Sequence, residues 1–94
     1  MTIAQTITTS GPAMDEAYLA KAGPIAEATK ELDGCEGIFV LTQSTGGEGL
    51  AIVLWRDTAA MEAAAAKVAA DAETLSDMGT TITPGTVYDT VLQF

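Results

Sequence analysis

Few side chains in this sequence could engage a substrate. They are Trp55, Tyr18, Tyr88, Thr42, Gln43, Arg56 and Cys35. The three aromatics join a flat apolar body to one polar tip, which suits binding more than bond-making. Thr42 and Gln43 are strand neighbours and point to opposite faces, so only one can face a given pocket. The chain contains no histidine and no asparagine, and one cysteine. It can therefore form neither a Ser-His-Asp nor a Cys-His pair, and it lacks the usual ligands of zinc and the usual axial ligand of haem. Each remaining residue also has a plain structural reading. Trp55 reads as a large core residue with its N–H satisfied nearby, Tyr18 as half-buried with its hydroxyl at the surface, and Tyr88 as a core or sheet-face residue. Arg56 could steady an anion, but beside Asp57 at a helix start it reads as a surface ion pair of small value. Cys35 stands at a strand start without a base and reads as inert. Gly46-Gly47-Glu48-Gly49 is not followed by a helix and a lysine, so it is not a phosphate cradle.

The elements that must position these residues are organised around 34–57. Ile38-Phe39-Val40-Leu41-Thr42 and Leu50-Ala51-Ile52-Val53-Leu54-Trp55 are short, β-rich runs. The glycine-rich segment between them predicts an antiparallel hairpin. Residues 2–9 predict a first strand, with Ile3, Gln5 and Ile7 on one side and threonines on the other. Residues 12–32 predict a helix whose stripe is Met14, Tyr18, Ala22, Ile25, Thr29 and Leu32, continuing through a kink at Gly23-Pro24. Gly34 is its stop. Asp57 is the expected N-cap of an alanine-rich helix over 58–77, and Gly79 ends it. After a turn at Pro84-Gly85 comes the last strand, near 86–93, with Tyr88, Thr90, Leu92 and Phe94 on one face. Strands are thus expected near 2–9, 37–43, 50–56 and 86–93. The order is β-α-β-β-α-β, the plan of ferredoxin-like domains: an α+β fold with an antiparallel four-stranded sheet and two helices on one face.

Composition sets the class. The apolar share is 48%, typical of a folded chain, and the length fits one domain over 1–94. Thirteen acids against four bases leave a net charge of −9, which provides no electrostatic footprint for nucleic acid or anionic lipid. No apolar run approaches a membrane span and no signal-peptide pattern is present, so a cytoplasmic location is expected. A lone cysteine fits a reducing compartment. The hairpin runs are apolar at nearly every position, so both faces of the sheet need cover. Ala51, Val53 and Trp55 are expected under the helices. Leu50, Ile52 and Leu54 are expected on the other face, where a second copy of the chain is the simplest partner.

With that order in place, the chain resembles the antibiotic biosynthesis monooxygenase-like family of dimeric α+β barrels. The resemblance rests on Gly34-Cys35-Glu36-Gly37 entering the second strand and Leu54-Trp55-Arg56-Asp57 leading from the third strand into an alanine-rich helix. Val87-Tyr88-Asp89 in the last strand adds to it. It implies a homodimer in which two sheets pack face to face, and a pocket for a flat aromatic or a haem between sheet and helices. One branch oxidises phenolic compounds with dioxygen and no cofactor. Another degrades haem. Both carry a tryptophan at the position matched by Trp55. The haem branch adds a histidine and an asparagine and the oxygenase branch an asparagine, residue types that this chain lacks. Its candidate pocket residues are Trp55, Tyr18 and Gln43, with no catalytic residue assigned, no metal and no cofactor. The expectation is a dimeric barrel that binds a small aromatic ligand or is non-catalytic. The alternative is a cofactor-independent monooxygenase of a phenolic or quinol-type aromatic.

Overall fold

A computed structural model of the chain describes residues 2–11, 16–43 and 47–90. Four antiparallel strands form one sheet in the order β2-β3-β1-β4: β1 is Ile3–Gly11, β2 Cys35–Thr42, β3 Gly47–Trp55 and β4 Thr81–Asp89. Helix α1 spans Glu16–Lys30 and runs through Pro24 without ending there. The second helical stretch comes in two pieces, α2 at Thr58–Ala63 and α3 at Ala65–Asp77. The expected helix start at 12–15, the loop at 44–46 and the strand positions 91–94 lie outside the described residues.

Local chemistry accounts for the ends. The Asp57 side chain accepts a hydrogen bond from the Ala60 N–H at 2.9 Å and caps α2. Gly79, with φ +91°, closes α3 through bonds from its own N–H to the Ser76 carbonyl and from the Thr80 N–H to the Leu75 carbonyl. Gly34 has φ +83°, and a Cβ there would run into the Cβ of Ala60, so glycine lets the turn after α1 lie against α2.

Two expectations need correction. The helix over 58–77 is interrupted at Ala64, a buried residue at φ −91°, ψ −2°. A run of alanines carries no side-chain signal that could locate such an interruption. The last strand begins at Thr81 rather than after Pro84-Gly85, and the expected turn is a bulge inside it. Ile7 pairs with Pro84 and Gln5 with Val87, so Gly85 and Thr86 together oppose Thr6. β4 is an edge strand, where a proline removes no needed ladder bond. The Thr6 hydroxyl donates to the Thr86 carbonyl at 2.6 Å and holds the bulge.

The register sorts the side chains. Ile3, Gln5, Ile7 and Thr9 share a face with Ile38, Val40, Ala51, Val53 and Trp55, and the helices cover this face. Ala4, Thr6 and Thr8 share the other with Phe39, Leu41, Leu50, Ile52, Leu54 and Tyr88. The core lies at the Trp55 end of the covered face, where Ile3, Val53, Trp55, Ala60 and Ala64 are buried together.

Candidate functional site

The rest of the covered face is not filled. Between the sheet, α1 and α3 lies a cavity of about 390 Å3, within the size range of small-molecule sites. Its cause is side-chain size. Ala22 and Ala26 of α1, Ala51 of β3, and Ala65, Ala69 and Ala72 of α3 all line it. Each brings a methyl group where a longer side chain would close the gap. The helix stripes anticipated from spacing are its walls: Tyr18, Ala22, Ile25 and Thr29 on one side, Met61, Val68 and Leu75 on the other. Val40, on edge strand β2, lines the cavity while half exposed, so the space meets solvent there.

Polar groups are placed sparingly around it. Trp55 is fully buried beside the cavity rather than in its lining, and its indole N–H donates to Gln5 Oε1 at 3.0 Å. Tyr18 does line the cavity, but its hydroxyl is not left at the surface as expected. It pairs with the hydroxyl of Thr80 at 2.6 Å. Thr80 is buried where the chain leaves the Gly79 turn at the end of α3 and enters β4. On the helices, the Thr29 hydroxyl is shared between the Ile25 carbonyl at 3.1 Å and Asp71 Oδ2 at 3.2 Å. Lys67 Nζ pairs with the other Asp71 oxygen at 2.5 Å. Asp71 thus ties α1 to α3 with its charge balanced.

Gln43 is elsewhere. It lines a shallow cleft with Thr8, Leu41, Glu48 and Leu50, at the hairpin end and on the uncovered side of the sheet. The structure brings Trp55 and Tyr18 to the two margins of one cavity and sets Gln43 apart from both. The glutamine at the cavity is Gln5. Its place on one side of β1 with Ile3 and Ile7 was readable, but its contact with Trp55 depends on the β1–β3 pairing. Arg56 forms exposed pairs with Asp57 at 3.6 Å and Asp33 at 3.8 Å, of the surface kind. Among the described residues, no three His, Cys, Asp or Glu side chains converge as a metal site requires.

No protein-family profile matches the sequence, and no curated protein matches it. Solved structures do. A candidate antibiotic biosynthesis monooxygenase from Deinococcus radiodurans superposes with a TM-score of 0.76 over 100% of this chain and 96% of its own, at 26% identity. The chain has the antibiotic biosynthesis monooxygenase-like fold. The same monooxygenase-like fold is found in a variant of SnoaB, a cofactor-independent oxygenase from Streptomyces nogalater, with a TM-score of 0.73, 16% identity and coverage of 97% and 95%. Rv0793 from Mycobacterium tuberculosis follows at 0.68, 16% identity, 99% and 98%. Among the described residues, no helix is long and apolar enough to cross a membrane.

Proposed function

We propose that the protein is a dimeric α+β barrel that holds a small aromatic ligand in the cavity between sheet and helices. The observation that carries this reading is the cavity itself: about 390 Å3, lined mainly by apolar groups, with a few oriented polar side chains at its margins. That is the usual make-up of a small-molecule site. Apolar walls favour a flat ring system, and Tyr18 and Gln5 can meet its oxygen atoms. Calorimetric titration with hydroquinones, anthrones and anthraquinones tests it. Saturable one-to-one binding is expected, and the absence of heat across the panel would overturn it.

The dimer rests on the uncovered sheet face. Phe39, Leu41 and Tyr88 are about half exposed there, next to Leu50, Ile52 and Leu54. An exposed apolar patch of this kind is rare on a soluble monomer. Pairing two such faces could bury on the order of 1,500 Å2, enough for a stable two-fold interface. Light scattering at micromolar concentration is expected to give a species of two-subunit mass. Since a lone cysteine fits a reducing compartment, we assign the protein to the cytoplasm.

A second reading is a cofactor-independent monooxygenase of a phenolic or quinol-type aromatic. It is favoured by the two oxygenase-type neighbours in the fold comparison. Here the cavity would orient an electron-rich ring and stabilise its deprotonated form, which passes an electron to dioxygen. Oxygen uptake that depends on both protein and anthrone separates this reading from simple binding.

A further inference from the structure

We propose that the cavity selects an elongated aromatic carrying an oxygen at each end of its long axis, one end against Gln5 and the other against Thr9. This rests on the ligand-binding reading above and narrows it to a shape and a pattern of polar groups.

Thr9 is 7% exposed and lines the cavity. Among the described residues its hydroxyl has no hydrogen-bond partner. A buried hydroxyl normally finds one. At Gln5 the orientation of the amide follows from its neighbour. The Trp55 indole is only a donor, so the Gln5 oxygen must face it, and the NH2 end is left over. That end also has no partner among the described residues. Among the described residues, no fully enclosed side-chain nitrogen or oxygen lacks a partner. Both free groups therefore face open space rather than packed atoms, and the space they share is the cavity.

Their separation sets the ligand's length. Gln5 and Thr9 are four residues apart on one face of β1, so they stand about 13 Å from each other. Ile7 lies between them, with Ala51 and Val53 alongside, and keeps the middle apolar. Allowing up to about 3 Å for each hydrogen bond, the two ligand oxygens lie about 7–13 Å apart, the span of two to four fused rings and longer than a single phenol. The two ends are not equivalent. Gln5 offers a donor, so that end of the ligand must accept. Thr9 can donate or accept, and the Tyr18–Thr80 pair adds polarity near it, since Ser10 pairs with Thr81.

Calorimetric titration with 2,6-dihydroxyanthraquinone, 2-hydroxyanthraquinone and unsubstituted anthraquinone tests the proposal. The dihydroxy compound is expected to bind roughly tenfold or more tighter than the unsubstituted one, with the monohydroxy compound between them. Thr9→Val and Gln5→Met should each weaken the dihydroxy compound by roughly three- to tenfold and leave the unsubstituted one unchanged. Gln5→Glu keeps an acceptor for Trp55 but turns the ligand-facing end from donor to acceptor, so it should weaken 2,6-dimethoxyanthraquinone, whose ends can only accept, even where Gln5→Met proves unstable. Equal binding of all three compounds, or no change for the dihydroxy compound in Thr9→Val and for the dimethoxy compound in Gln5→Glu, would overturn the two-ended site and leave the cavity a ligand site. Failure of all three to bind would overturn the aromatic-ligand reading together with this one.

Discussion

The two faces of the sheet carry opposite mismatches between size and cover. The covered face has Ala51 at its centre and small residues on the helices above, and it is hollow. The uncovered face has Phe39, Leu41, Leu50, Ile52, Leu54 and Tyr88, large groups that none of the described helices covers. If burial of apolar area were the only pressure, the large residues would lie under the helices. The difference points to two separate tasks. One face holds space open while the packed Trp55 end supports it. The other presents a surface suited to a second subunit.

Neighbours on β3 give the strongest way to break this comparison. Val53 is 3% exposed on the covered face, and Ile52 points to the other side. Val53→Asp buries an unpaired charge in the core and is expected to cost more than about 4 kcal/mol, leaving the chain unfolded by circular dichroism. Trp55→Ala empties the packed end and strands the Gln5 oxygen. A loss of about 3–5 kcal/mol is expected in chemical denaturation. Ile52→Asp should instead split the proposed dimer while the subunit keeps its helix signal, with one-subunit mass in light scattering. If Ile52→Asp stayed dimeric and equally stable, the uncovered face would not be the interface.

Smaller effects sharpen the picture. A Cβ at Gly85 would lie 2.9 Å from the Thr6 carbonyl oxygen, so Gly85→Ala should strain the β4 bulge by about 1–3 kcal/mol. The bulge also decides where Tyr88 points. It puts Pro84 and Val87 on the same side, and so turns Tyr88 to the uncovered face. Dimer dissociation should therefore rise in Gly85→Ala beyond what its melting shift explains. Asp57→Ala removes the α2 cap, away from both the cavity and the uncovered face. It should cost about 1 kcal/mol and leave ligand binding and subunit mass unchanged.

Much of this was legible from residue order. Alternation along β3 separated Ile52 from Val53, because a strand's side chains have a period of two whatever surrounds it. The stripe of Tyr18, Ala22, Ile25 and Thr29 followed from the helical period. Asp57 and Gly79 marked helix ends because capping is local chemistry between residues a few positions apart. The features that place the site were not local. The Gly85-Thr86 bulge depends on Thr6, which is distant in the chain and lies opposite only once β1 and β4 pair. Gln5, rather than Gln43, reaches the cavity because β1 lies beside β3 and brings it against Trp55. The cavity is a sum over alanines on three elements, and no stretch of sequence shows how closely those elements approach. Periodicity assigns faces within an element, whereas the space between elements is set by how their side-chain volumes meet, which only the tertiary structure decides.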